Sequence, residues 1–284
     1  MDVCELNSLL GPVQSAAREA GRAIRAVSRE SLGLEIKADG SPVTRADRAS
    51  HEILAEALSR LAGSWPVISE EGDPRGVGAR PLERFWLVEP LDGTKEFAKG
   101  DGDYTVNIAL VEGGVPVLGV IYVPAQDAMY YGCRAGGAWK AAGAESPRRL
   151  DGTGTADPIT AVVSRSHPSP ETNAFLARLA VKRVVARGSS LKICAVAEGS
   201  ADVYPRLAPT WLWDSAAGAA IAREAGCRVV GREGEDLTYD PARGLKHPHF
   251  IVYNPTTCPL ESACAPDSAT GMARRTIQHP EATE

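Results

Sequence analysis

After an apolar strand from Phe85 to Val88, three further apolar segments, Thr105 to Val111, Val117 to Val123 and Ala128 to Gly132, follow one another with only short Gly- and Pro-bearing turns between them. This rhythm predicts strands joined as an antiparallel sheet. Upstream, Val13, Ala16, Ala17, Ala20, Ile24 and Val27 recur at helical spacing, which predicts a helix near residues 8 to 28. The turn-rich run Lys37-Ala38-Asp39-Gly40-Ser41-Pro42-Val43 fits a short hairpin. Thr44 then opens a second helix, with Ile53, Leu54, Leu58 and Leu61 as its apolar stripe and Gly63 as its C-terminal cap. Pro66 to Ser69 reads as a strand running into Glu70 and Glu71. The strand from Phe85 is expected to stop at Glu89-Pro90.

After residue 159 the rhythm changes. Strand-like Thr160 to Ser164 precedes a helix near Pro170 to Leu179, and strand-like Arg183 to Ala186 precedes one near Leu191 to Glu198. A helix from Ser215 to Ala225 ends at Gly226, before strand-like Cys227 to Val230. Such alternation predicts a layered α/β half. The chain thus divides into an α+β part over 1–155, a smaller α/β part over 156–254, and a flexible tail over 255–284, where Pro, Ser, Thr, Ala and charged residues take over.

With 284 residues, 44% of them hydrophobic, a substantial core can be buried. The net charge of -5 comes from 31 basic and 36 acidic residues in mixed order, without a basic block. That excludes a polymeric nucleic acid as the expected partner and leaves room for a small anionic ligand. The residues Met1 to Asn7 lack the layout of a signal peptide, and no apolar run reaches the ~20 residues of a membrane span. Six scattered cysteines without a Cys-x-x-Cys pair read as free thiols in a reducing cytoplasm.

Four carboxylates stand where ligands are commonly presented. Glu70 ends a strand, Glu89 and Asp92 flank a tight Pro-Leu turn, and Asp214 precedes an Ala-rich helix. Oxygen-only donors of this kind fit a hard cation such as Mg²⁺. Each also has a structural explanation. Asp214 is placed as an N-cap, Asp47 lies three residues after Thr44 in a capping-box pattern, and Glu70 and Glu71 fit a solvated loop.

Ser69-Glu70-Glu71, the strand-turn Trp86-Leu87-Val88-Glu89-Pro90-Leu91-Asp92-Gly93-Thr94 and Trp213-Asp214-Ser215-Ala216-Ala217-Gly218 together resemble the inositol monophosphatase and fructose bisphosphatase superfamily. The resemblance runs over residues 8 to 253 and implies a layered αβαβα sandwich. Within the superfamily the chain is similar to the bacterial 3'(2'),5'-bisphosphate nucleotidases. That likeness is carried by Lys37 to Thr44, Leu91 to Phe97, Tyr104 to Leu110, Val163-Ser164-Arg165-Ser166-His167, Gly188-Ser189-Ser190-Leu191-Lys192 and Tyr204-Pro205-Arg206.

The resemblance implies a lithium-sensitive, Mg²⁺-dependent release of the 3'-phosphate of adenosine 3',5'-bisphosphate, clearing a product nucleotide of sulfate activation. It implies two or three Mg²⁺ ions, with Mn²⁺ as a substitute, held by Glu70, Glu89, the Leu91 carbonyl, Asp92 and Asp214. Asp47 and Thr94 would orient the attacking water. Gly93 and Thr94 would offer backbone N–H groups to the phosphate, and Ser189, Ser190, Lys192 and Arg206 would hold the rest of the nucleotide. A homodimer and a peripheral position on the cytoplasmic face of the inner membrane are compatible with this likeness. For Lys192 a surface position is the alternative, and for Arg165 and His167 a solvated loop.

One residue departs from the family pattern. Position 89 is Glu where that pattern has Asp, and the added methylene is expected to weaken Mg²⁺ binding, which demands near-ideal octahedral geometry. The competing functions are therefore a polyol phosphatase on the same frame and a nucleotide sensor with weakened catalysis.

Overall fold

The computed structural model describes residues 1–61, 63, 65–73, 81–154, 158–166, 169–179, 181–258 and 260. His167 and most of the expected tail lie outside them. Helix α1 (Val3–Ala26) begins upstream of its expected start, because Leu6 extends the buried stripe and the Asp2 carboxylate accepts the Glu5 N–H at the cap. A hairpin of β1 (Glu35–Ile36) and β2 (Pro42–Val43) leads to α2 (Arg45–Ser59), capped by Thr44. This helix ends at Arg60, and Gly63 stands beyond the cap with a φ of 92°.

Strand β3 (Val67–Ser69) pairs in parallel with β4 (Arg84–Asp92). A short helix α3 (Thr94–Lys99) follows, then β5 (Thr105–Glu112), β6 (Val115–Val123), β7 (Ala128–Cys133), β8 (Gly137–Ala142) and β9 (Arg148–Leu150). These seven strands lie in chain order in one sheet, antiparallel apart from its first pair. The last two strands are short and half-exposed, and so carry no apolar run that would announce them.

Period-two alternation sorts the sheet's two faces. Trp86, Val88, Val106, Ile108, Leu110, Leu118 and Val120 pack on α1 and α2. Phe85, Leu87, Ala109, Val111, Ile121 and Val123 face the opposite way. There they meet the chain's second half.

That half runs β10 (Thr160–Ser164), α4 (Pro170–Arg178), β11 (Arg183–Arg187), α5 (Leu191–Ala197), β12 (Val203–Arg206), β13 (Thr210–Trp211), α6 (Leu212–Glu224), β14 (Arg228–Val230), β15 (Lys246–His247) and β16 (Phe250–Tyr253). Five of its strands form a mixed sheet in the order β11-β10-β12-β16-β14. Helices α5 and α6 fill the space between the two sheets. The small residues of α6 allow close approach: a Cβ on Gly119 would stand 2.2 Å from the Ala217 carbonyl oxygen. On the outer face of the second sheet, Phe175, Leu176 and Leu179 of the α4 region pack with Cys258 and Leu260. The layers are therefore α, β, α, β, α. Cys258 and Leu260 fall inside the span read as a tail, yet both are buried.

Candidate active site

The strand expected to stop at Glu89-Pro90 continues to Asp92, and the continuation is irregular. Glu89 pairs with Asn107 but Asp92 pairs with Thr105, so an extra residue is inserted on β4. In an unbroken strand Glu89 and Asp92 would point to opposite faces. The bulge reverses that: Leu91 joins the core on the α1/α2 face, and both carboxylates look toward α5 and α6. Pro90, which has no N–H to offer a ladder, sits in the bulge and its carbonyl accepts the Ser50 hydroxyl at 2.7 Å.

Gly93 follows with φ 95°, and a Cβ there would lie 2.9 Å from the Asp103 carbonyl oxygen. This turn starts α3 and presents Thr94. The Thr94 hydroxyl donates to Asp47 Oδ1 at 3.0 Å and lies 3.3 Å from the Leu91 carbonyl. Asp47 Oδ2 accepts the Thr44 N–H and hydroxyl at 2.7 and 2.6 Å. Asp47 thus closes the cap of α2 with one oxygen and meets Thr94 with the other. Burial pushes its carboxyl up, against the pull of the bonds from Thr44 and Thr94.

Glu70, Glu89, Asp92 and Asp214 line one cavity of about 270 Å³ together with Thr94, Ser189, Ser190, Lys192 and Arg206. Asp214 is a correction to the N-cap reading. It lies inside the first turn of α6 and accepts the Trp211 N–H at 3.0 Å and the Thr210 hydroxyl at 2.5 Å. Burial first, then Asp92, raises its carboxyl to about 7. Burial first, then Glu70, drives Glu89 well above the usual carboxylate range. Asp92 also rises with burial, opposed by Lys192 and by the Ser190 hydroxyl, which donates to it at 2.8 Å. The Glu70 carboxylate is drawn 2.9 Å from Lys37 Nζ, which also pairs with Glu71.

Among the described residues no three His, Cys, Asp or Glu side chains converge as a finished ligand cage. Each acid has instead turned onto protein donors. The donor set still fits a hard cation: every group is an oxygen, the acids crowd and repel one another in a buried setting, Glu89 against Glu70 above all, and Glu89 Oε2 is buried with no donor to it among the described residues.

Lys192 is buried, which rules out the surface position that was the alternative for it. Burial lowers its pKa, and Asp92 works to keep it charged. Its Nζ donates to the Ser189 carbonyl and lies 5.6 Å from the Tyr204 ring centre. Ser189 has φ 44°, a left-handed backbone, and its hydroxyl is buried without a partner. The Ser190 hydroxyl gives its one proton to Asp92, and its oxygen lies 3.0 Å from the Asp214 carbonyl oxygen. Arg206 gives one N–H to the Pro209 carbonyl at 3.3 Å. Arg165 is held in an ion pair with Asp103 at 2.7 Å, not free in the cavity.

Two contributors were missed in the sequence. Asn107 donates to the Ser190 hydroxyl at 2.8 Å and reaches Asp92 at 3.5 Å. A lone Asn within the apolar run of β5 was the available signal. Lys37 had no signal beyond its motif.

Residues 5–257 match the sequence profile of the Inositol monophosphatase family. The chain belongs to that family. It is 45% identical over 246 residues to the 3'(2'),5'-bisphosphate nucleotidase CysQ of Salmonella typhimurium strain LT2, covering 86% of this chain and 99% of that one. It is 43% identical over the same length and shares to CysQ of Escherichia coli strain K12. The crystal structure of CysQ from Bacteroides thetaiotaomicron, a bacterial member of this family, superposes with a TM-score of 0.73 at 41% identity, covering 87% of this chain and 97% of that one. The layered sandwich is thus the family fold. No helix among the described residues is long and apolar enough to cross a membrane.

Proposed function

We propose that this chain is a metal-dependent phosphomonoesterase of the 3'(2'),5'-bisphosphate nucleotidase kind, releasing the 3'-phosphate of adenosine 3',5'-bisphosphate to give AMP. The observation that carries this reading is the Thr94–Asp47 hydrogen bond beside a cavity lined by four carboxylates on one side and by Lys192 and Arg206 on the other. Relatives at 43–45% identity bearing the nucleotidase name support the substrate.

Glu70, Glu89, the Leu91 carbonyl, Asp92 and Asp214 would hold the metal, which we take to be two or three Mg²⁺ ions with Mn²⁺ as a substitute. Bound Mg²⁺ would supply positive charge to the phosphate and lower the pKa of a water molecule. Thr94, its own proton committed to Asp47, has lone pairs free to accept a water hydrogen and aim the oxygen at phosphorus. Asp47 stands ready to take a proton passed through Thr94, because burial has made its carboxylate more basic. The water oxygen bonds to phosphorus as its proton passes toward Asp47, the bond to the ribose O3' breaks, and the ribose oxygen takes a proton from solvent in exchange. Ser189, Ser190, Lys192 and Arg206 bind the remaining phosphate and base, and so hold the ester in line for attack. Such an enzyme would work in the cytoplasm, in sulfur metabolism, and be inhibited by Li⁺.

The test is a phosphate-release panel with and without Mg²⁺ and Li⁺. The expected kcat/KM for adenosine 3',5'-bisphosphate exceeds those for inositol 1-phosphate and fructose 1,6-bisphosphate by about 100-fold or more. The reverse preference would make the chain a polyol phosphatase. Tight nucleotide binding in calorimetry with no turnover at any Mg²⁺ concentration would make it a sensor.

A further inference from the structure

Two neighbouring turns that line the cavity rest on the same residue. A Cβ on Gly93 would stand 2.9 Å from the Asp103 carbonyl oxygen, and one on Gly188 would stand 2.7 Å from that same oxygen and 2.8 Å from Asp103 Cβ. The Gly188 N–H donates to Asp103 Oδ2 at 2.9 Å. That carboxylate is almost fully buried, yet two cations reach it: Arg165 at 2.7 Å and Arg187 at 3.7 Å. Arg165 also pairs with Asp101, whose carboxylate accepts the Asp103 N–H at 3.2 Å. Glu96 of α3 accepts a hydroxyl from Ser166. Asp103 is therefore wedged between the loop leaving α3 and the loop entering α5, and charged groups from the second half clamp it there.

A buried carboxylate with paired cations is costly to place, and leaving any part unpaired costs more. The Asp103 backbone sets the distance to Gly93, which positions Thr94. Its side chain sets Gly188, from which the strained Ser189, Ser190 and Lys192 follow. We propose that Asp103 is a positioning residue that fixes the spacing between the water side and the phosphate side of the site. This rests on the proposed hydrolysis, in which the attacking oxygen and the held phosphate must stand in line.

Asp103→Ala removes both the acceptor for Gly188 and the counter-charge for the two arginines. Its kcat is expected to fall about 100-fold, the loss typical of a misplacement near 1 Å. Affinity for inorganic phosphate, measured by calorimetry with Mg²⁺ present, is expected to fall about tenfold. The Mg²⁺ concentration giving half-maximal activity should stay within about twofold, because no proposed ligand is altered. Asp103→Asn keeps an oxygen for the Gly188 N–H and should recover most of the rate. It also serves if the alanine variant does not fold. Folded Asp103→Ala with unchanged kcat and phosphate affinity would overturn the proposal, as would Asp103→Asn no better than Ala. A loss of rate explained wholly by a raised Mg²⁺ requirement would overturn it too. Wild type that binds phosphate but releases none would refute the hydrolysis instead, and the phosphate affinities of the variants would still decide the role of Asp103.

Discussion

The end of β4 with the turn after it, Glu89 to Thr94, and the entry to α5, Gly188 to Lys192, form two adjoining walls of one cavity and are built in opposite ways. The first is a local device. A bulge and a glycine in one short segment aim two carboxylates, a carbonyl and a hydroxyl in one direction. The second is held from outside. Gly188 leans on Asp103, Ser190 on Asn107, Asp92 and Asp214, and Lys192 keeps its charge partly through Asp92. One wall has an excess of buried negative charge, while the other has a buried lysine whose pKa burial lowers and Asp92 pulls back up.

The largest break in this comparison is Asp92→Asn, which touches both walls. Phosphate release is expected to fall about 1000-fold or more, since one of the proposed metal ligands is lost. Metal-free protein should melt at higher temperature, because a repulsion among buried acids is relieved. A lower melting temperature in thermal scans would mean that the bond from Ser190 matters more than the repulsion.

Next comes the water side alone. Thr94→Val should lower kcat about 100-fold or more with little change in KM, because a proton path is lost while binding groups remain. A change confined to KM in steady-state kinetics would move Thr94 to the phosphate-binding side. Lys192→Met cuts the other wall and should raise KM about 10–100-fold, the worth of a hydrogen bond to a charged group. If KM holds steady and only kcat falls, Lys192 acts on the transition state and not on binding.

The contrast between the walls also governs what could be read in the sequence. The first wall is contiguous, so its acids, glycine and threonine were legible together, and only the bulge that unites Glu89 with Asp92 was not. Strand propensity gave no reason for β4 to persist past Pro90. The second wall depends on residues far away in the chain. A lysine at the start of a helix reads as exposed until Tyr204 and Ser189 close over it, and Asn107 reads as an odd polar residue in a strand until Ser190 arrives opposite. Helix α6 illustrates the same limit. Asp214 looked like a cap because its alanines begin after it, but Leu212 and Trp213 are buried and extend the helix one turn earlier. The layered fold was legible from rhythm and resemblance, while β8 and β9 were too short and half-exposed to signal themselves.

A smaller effect separates the walls by pH. Asp214 holds its proton up to about pH 7 when folded, against an ordinary value of 3.8. A raised carboxyl binds its proton more tightly in the folded chain, so its contribution favours folding most below about pH 4 and is lost as pH rises toward 7. Metal-free wild type should therefore lose less stability than Asp214→Asn does when shifted from pH 8 to pH 5. Metal binding runs the other way, since the cation must displace that proton, and its affinity in calorimetry should fall as the pH drops below 7. A pH-independent metal affinity would mean that Asp214 is ionised before the cation arrives.

The smallest expected effect sits on the residue that departs from the family pattern. Glu89 Oε1 accepts the Leu91 N–H at 3.2 Å, and Oε2 has no donor to it among the described residues. The extra methylene lets the carboxylate fold back on its own bulge, a contact that competes with a cation for the same oxygen. Shortening the side chain in Glu89→Asp should free that oxygen and lower the Mg²⁺ concentration for half-maximal activity about threefold, near the lower end of what one hydrogen bond contributes. Because Mn²⁺ is the less demanding ion, its half-maximal concentration should move less, and the ratio of the two is the sharper readout. Unchanged metal dependence in Glu89→Asp would show that the bulge adjusts to either acid. The wall built by local geometry would then be the more tolerant of the two.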